Sequence, residues 1–182
     1  MEKKVIIAGS GGQGILFLGK ILVFASMREK REVTWFPSYG AEMRGGTASC
    51  TVIISDTMIG SPVVLNPDIL VIMNRASFDK FHPGLKKRGL LIYDSSLVKN
   101  PRLRADIEAV GIPATKIASA LGNTKSANMV ALGALIAKTG LLKQSSIVKI
   151  FEKSSESVGN NGSKINTISI LEGIKYIGNT KS

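Results

Sequence analysis

Two glycine-rich segments hold the residue types best suited to gripping an anion. Gly9-Ser10-Gly11-Gly12-Gln13-Gly14 fits G-x-G-x-x-G and sits between the apolar run Val5-Ile6-Ile7-Ala8 and a helical run that starts at Ile15. Such glycines allow a tight turn and leave backbone N–H groups at a helix N-terminus, where a phosphate or carboxylate is favoured. Three uses fit the pattern: a turn needed only for close helix packing, a free-standing dinucleotide site, or a contact with an anion or partner subunit. A dinucleotide site requires an acid at the end of the second strand to hold the ribose. That strand ends at Phe36-Pro37-Ser38, with Glu29 and Glu32 before it, so the acid is missing from its place.

The second segment is Trp35-Phe36-Pro37-Ser38-Tyr39-Gly40-Ala41-Glu42-Met43-Arg44-Gly45-Gly46. In a doubly wound sheet a loop here lies at the carboxyl end, beside the first one. Arg44 can fork onto a carboxylate or phosphate, and Gly45-Gly46 admits another backbone. Glu42 either pairs with Arg44, which would merely order the loop, or positions a hydroxyl. Other chemistry is scarce. Cys50 lies in an apolar strand and reads as an inert core thiol, and His82, before Pro83, reads as a surface histidine in a turn. With one cysteine and one histidine there is no disulfide framework, no four-thiolate zinc or iron–sulfur site, and no nucleophilic triad. Asn128, early in a helical segment, is either a buried polar group bonded to backbone or a contact with a neighbouring subunit. The stripe Met129, Leu132, Leu135, Ile136 reads as core.

The elements that must position these residues alternate. Val5–Ala8, 68–73 and 90–93 are short apolar runs of the kind buried on both faces of a parallel sheet. The stretch 33–36 reads as a second strand stopped by Pro37, and 47–55, rich in β-branched residues, as a third. Helices are expected over 15–27, 77–81, 102–110, 126–138, 145–157 and 164–176. Between them 112–115 is a last strand or edge leading into 116–121, and Asn160-Asn161 is a loop between two helices. Strands alternating with helices predict one three-layer α/β/α domain over 1–182, with a largely parallel sheet.

With 182 residues, 44% hydrophobic and 20% charged, the chain is long enough for one ordinary core. No run approaches 18 apolar residues, and the N-terminus has too short an apolar stretch for a signal peptide, so a cytoplasmic protein without membrane contact is expected. The net charge of +11 is uneven: residues 1–74 carry seven basic against six acidic residues, and 75–104 carry eight against two. Only ten residues are aromatic, and Lys86-Lys87-Arg88 sits between Gly84 and Gly89 in a turn, which argues against nucleic acid. Solvated lysines, or a surface matching an acidic protein or phosphate-bearing ligand, account for the charge.

Taken together, the two glycine motifs resemble those of the gamma subunit of 2-oxoacid:ferredoxin oxidoreductases. The resemblance continues through Ile59-Gly60-Ser61-Pro62, Asn66-Pro67-Asp68, Ile112-Pro113-Ala114-Thr115, Ala127-Asn128-Met129-Val130-Ala131-Leu132-Gly133-Ala134 and Lys138-Thr139-Gly140. It implies a multisubunit enzyme that oxidatively decarboxylates a 2-oxoacid with coenzyme A, forming acyl-CoA and reducing ferredoxin. In that family thiamine diphosphate and magnesium are held by alpha and beta subunits, and iron–sulfur clusters lie elsewhere, as on a ferredoxin-like delta subunit. This chain alone would bind no cofactor and be inactive, and its exposed partner surface would let it self-associate. The expected binding residues, for coenzyme A, another anion or a partner, are Gly9, Gly11, Gly12, Gln13, Gly14, Ser38, Tyr39, Gly40, Glu42, Arg44, Gly45, Gly46 and Asn128. No catalytic or metal-ligating residue is expected. The resemblance puts 2-oxoglutarate first among substrates, ahead of branched-chain 2-oxoacids and pyruvate. A free-standing dinucleotide-binding dehydrogenase and a non-enzymatic phosphate-binding scaffold are the competing functions.

Overall fold

A computed structural model of the chain describes residues 1–39, 47–155 and 160–180. Its strands are β1 (Glu2–Ser10), β2 (Glu32–Tyr39), β3 (Thr47–Ser55), β4 (Ile69–Ile72), β5 (Leu90–Asp94) and β6 (Glu108–Ile112). Its helices are α1 (Ile15–Arg28), α2 (Arg75–Phe81), α3 (Ala114–Ala120), α4 (Ala127–Thr139), α5 (Gln144–Ser155) and α6 (Asn160–Asn179). One sheet runs in the order β2-β3-β1-β4-β5-β6. The pairings β1–β4, β4–β5 and β5–β6 are parallel, while β3 runs antiparallel to both neighbours. The α/β class with a largely parallel sheet therefore holds, with β2 and β3 adding an antiparallel hairpin.

Successive side chains on a strand point to opposite faces, so the apolar runs need cover on both sides. Val5, Ile7, Val71 and Ile92 face a layer built from α1, α3, α4, α5 and α6. Ile6, Ala8, Leu70, Ile72 and Leu91 face the other way, against Phe78, Leu85 and Val98. The first layer is much the thicker. Within it α4 and α6 cross so closely that a Cβ on Gly133 would overlap the Ile170 carbonyl, and one on Gly173 the Val130 carbonyl.

Four expectations are corrected. Pro37 does not stop β2; it pairs opposite Cys50 within the strand. β2 is the sheet edge, where a residue without an N–H costs least. The stretch 102–110 is not a helix. Arg104 pairs with Asp106 at 2.7 Å and donates to the Leu85 carbonyl at 2.8 Å, holding the chain extended, and Glu108 N–H then bonds the Gly89 carbonyl to begin β6. Tertiary bonds override a weak helical pattern here. Asn160-Asn161 begins α6 rather than forming a loop. His82 is buried, its ring stacked on Phe78 at 4.5 Å between centroids. Burial, with Arg104 nearby, lowers its pKa below the ordinary histidine value, against a smaller opposing pull from Asp106.

Candidate functional site

β1 delivers the chain to α1 on one face of the sheet, and β4 delivers it to α2 on the other. A crevice must open where the two adjacent strands part, at their carboxyl ends, which is where open α/β sheets bind ligands. The glycine loop occupies that point. Gly12 and Gly14 hold φ of +87° and +70°, a left-handed conformation that glycine reaches without steric cost. Gly14 precedes the first turn of α1, whose start has no side-chain cap and no acidic residue. The N–H groups of Gly11, Gly12, Gly14 and Ile15 make no hydrogen bond among the described residues. This is the electrostatic end of a 14-residue helix, with donors to spare.

Beside the loop lies a cleft of about 220 Å³, lined by Gly12, Gln13, Met73, Leu97, Thr115, Thr124, Lys125 and Ala127. Met73 follows β4, Thr115 lies in the first turn of α3, and Ala127 opens α4. No acidic side chain lines the cleft, and the Lys125 ammonium has no partner among the described residues. The wall at Thr115 is held by Asp94, whose carboxylate accepts from Thr115 N–H at 3.1 Å and from its hydroxyl at 2.5 Å. Free N–H groups, one unpaired ammonium and an apolar margin from Leu97 and Met73 suit an anion attached to a less polar body.

Gln13 and Asn128 are turned inward. The Gln13 carboxamide bonds Ser10 N–H and the Met73 carbonyl, and Asn128, 3% exposed, donates to the Gly14 carbonyl at 3.0 Å. Of the two roles open to Asn128, the bonded buried group is the one this geometry displays. The second glycine segment starts where expected. Ser10 pairs with Thr47 and Tyr39 with Ala48, so the chain leaves β2 and enters β3 at the same sheet end as the first loop, with Ser38 exposed on the edge strand. Gly40, Glu42, Arg44, Gly45 and Gly46 lie outside the described residues. Met73, Leu97, Thr124 and Lys125 were not singled out from sequence. Met73 directly follows an apolar strand, which was a usable signal; the short turn 124–126 carried none.

Cys50 is buried in β3, its thiol donates to the Ile15 carbonyl at 3.7 Å, and burial pushes its pKa up to about 12. Much of the basic surface is paired: Lys86 with Asp68, Arg75 with Asp79, Arg104 with Asp106. Among the described residues no three His, Cys, Asp or Glu side chains converge as a metal site, and no helix is long and apolar enough to cross a membrane.

The sheet order, the glycine loop and the cleft define an α/β protein with a crevice at its strand switch point, and residues 4–176 match the pyruvate ferredoxin/flavodoxin oxidoreductase family. The chain belongs to that family. Within it, the chain is similar to ketoisovalerate oxidoreductase subunit VorA of Methanothermobacter marburgensis, 41% identical over 146 residues, which cover 79% of this chain and 30% of VorA. The chain thus spans under a third of that relative. It is also similar to 2-oxoglutarate synthase subunit KorC of Methanocaldococcus jannaschii, 37% identical over 152 residues, covering 82% of this chain and 81% of KorC. The crystal structure of a keto/oxoacid ferredoxin oxidoreductase gamma subunit from Geobacter sulfurreducens superposes with a TM-score of 0.81 at 27% identity, covering 97% and 99% of the two chains. The gamma-subunit resemblance drawn from the glycine motifs holds.

Proposed function

We propose that this chain, acting as one gamma-type domain over residues 1–182, is the gamma subunit of a multisubunit 2-oxoacid:ferredoxin oxidoreductase of the cytoplasm. The assembled enzyme decarboxylates a 2-oxoacid oxidatively with coenzyme A and passes the electrons to ferredoxin. Thiamine diphosphate, magnesium and the iron–sulfur clusters belong to alpha, beta and delta partners. This chain's part is to present the cleft, which receives coenzyme A as it enters, or an acidic loop of a partner subunit. The observation that carries this is the crevice itself: N–H groups at the start of α1 and a Lys125 ammonium that have no partner among the described residues, with no acidic residue in the described lining. Among substrates 2-oxoglutarate is favoured: of the relatives matched along most of their own length, the KorC subunits are 36–38% identical and the pyruvate-linked gamma subunits 30%.

The test assembles the chain with its co-expressed partner subunits and measures complex formation and the apparent KM for coenzyme A separately. The lone chain is expected to be colourless and inactive. Gly12→Val puts a branched side chain where a Cβ would meet nothing within 4 Å and where φ is +87°, so it both crowds the outer side of the loop and forces its turn to change. Lys125→Ala and Arg44→Ala each remove a charged donor, a loss of about 1.5–3 kcal/mol where the donor is engaged. Normal assembly and unchanged kinetics in all three variants would reject the site, and activity in the lone chain would reject the subunit reading.

A further inference from the structure

We propose that Gln13 and Asn128 are positioning residues of the cleft: their carboxamides hold the glycine loop in the conformation in which its N–H groups have no partner among the described residues, and so set the affinity for the anionic group. The inference rests on the reading of the cleft given above.

Both ends of each carboxamide are spent on backbone. Gln13 Oε1 accepts from Ser10 N–H at 2.7 Å, and its Nε2 donates to the Met73 carbonyl at 3.0 Å. That side chain therefore ties the loop on β1 to the end of β4, the two strands that flank the crevice. Asn128 Oδ1 accepts from Met129 N–H at 2.9 Å, and its Nδ2 donates to the Gly14 carbonyl at 3.0 Å. The same carbonyl accepts from Leu18 N–H at 3.0 Å, so Asn128 fixes the residue on which the first turn of α1 is built. Three elements around the cleft are joined through two side chains.

The glycines fit around these amides. A Cβ on Gly9 would stand 2.6 Å from Gln13 Oε1, and one on Gly14 would overlap Asn128 Nδ2. A Cβ on Gly12 would meet nothing. Gly9 leaves room for the Gln13 amide, Gly14 leaves room for Asn128 and takes a positive φ as well, and Gly12 faces open space with a positive φ in the middle of the turn. With the amides in place the Gly11 and Gly12 N–H groups, which have no partner among the described residues, stay fixed, and a ligand need not order them.

The test uses the complex assembled from this chain and its partner subunits, with coenzyme A as the varied substrate. Asn128→Ser and Gln13→Met shorten or remove the carboxamide without changing charge, so neither repels an anion. Each is expected to raise the apparent KM for coenzyme A about tenfold while kcat stays within about twofold. Leu132→Ala, which cuts a cavity in the same helix as Asn128, is expected to lower Tm and leave that KM within about twofold. If both amide variants lower Tm like Leu132→Ala and leave KM unchanged, the positioning role is overturned. If one of them does not assemble, the other decides by the same criterion. Lys125→Ala separates the two claims: a shift in KM there, without one in the amide variants, removes only the positioning role. No shift in Lys125→Ala or in either amide variant removes the site and this inference with it.

Discussion

Asp94, fully buried at the end of β5, accepts hydrogen bonds from both the backbone N–H and the hydroxyl of Thr115 in the first turn of α3. Its other oxygen takes Ser96 N–H at 2.9 Å. One carboxylate thus fixes the turn after β5 and the start of the next helix, which together wall the cleft. Thr115→Val keeps the side-chain shape and the N–H bond but deletes the hydroxyl donor. A hydrogen bond to a charged group contributes about 1.5–3 kcal/mol, so urea unfolding should show a loss near the lower figure, since one donor remains. A loss within error of zero would mean the hydroxyl does not matter to the wall.

His82 makes stability depend on pH in a defined window. Its folded-state pKa lies below the ordinary value of about 6.5, because burial, assisted by Arg104 and opposed in part by Asp106, resists the added proton. The unfolded chain therefore binds more protons, and stability falls as pH drops from 7 towards 5, being fully present only above the unfolded pKa. Asp56 and Asp106, whose pKa values are lowered by the N-terminal amine and by Arg104 respectively, lose their contribution only near and below pH 4. His82 is the one histidine in the sequence, so the window is its own. Urea midpoints at pH 7 and pH 5.5 should differ in the wild type, and His82→Gln should flatten the difference whatever it does to absolute stability.

The sequence reading went furthest where the code is local. The run Val5–Ala8, the glycine loop after it and the helix from Ile15 were legible because strand burial, turn chemistry and helix start are each written in neighbouring residues. His82 and the stretch 102–110 were not, since what decides them is distant: Arg104 donates to the His82, Pro83 and Leu85 carbonyls about twenty residues away, which holds its own segment extended against the turn that carries His82. The cleft was half legible. Its floor is the glycine loop, but Thr124 and Lys125 arrive from more than a hundred residues away, and only the packing of α4 against the sheet puts them there. Gln13 and Asn128 were read as binding residues, yet each carboxamide points inward to a backbone carbonyl, that of Met73 or of Gly14, which no spacing rule names.

Cys50 should be chemically silent in the folded protein. Its thiol is buried and its pKa is pushed up to about 12, so almost no thiolate exists near neutral pH, and the thiolate is the reactive form. A water-soluble disulfide reagent at pH 8 should therefore detect no thiol natively and one per chain in guanidinium. Prompt labelling of the native protein would show that β3 opens readily or that the buried position is wrong.

The α4–α6 crossing offers the sharpest test of packing, because two opposing effects have different sizes. Replacing glycine by alanine inside a helix gains up to about 1 kcal/mol from propensity alone. At Gly133 and Gly173, however, the new methyl group would overlap a backbone carbonyl of the facing helix, Ile170 and Val130 respectively. Backbone cannot swing aside as a flexible side chain can, and overpacking typically costs about 1–3 kcal/mol and occasionally more. The packing term should win, leaving Gly133→Ala and Gly173→Ala each destabilised by about 1–2 kcal/mol or more. Gly178, also in α6, has nothing within 4 Å of where its Cβ would stand, so Gly178→Ala should be neutral or slightly stabilising. Thermal unfolding of the three variants checks the contrast: if all three shift alike, the helices do not approach as closely as their glycines indicate, and the apolar layer over Val5, Ile7 and Val71 is built differently.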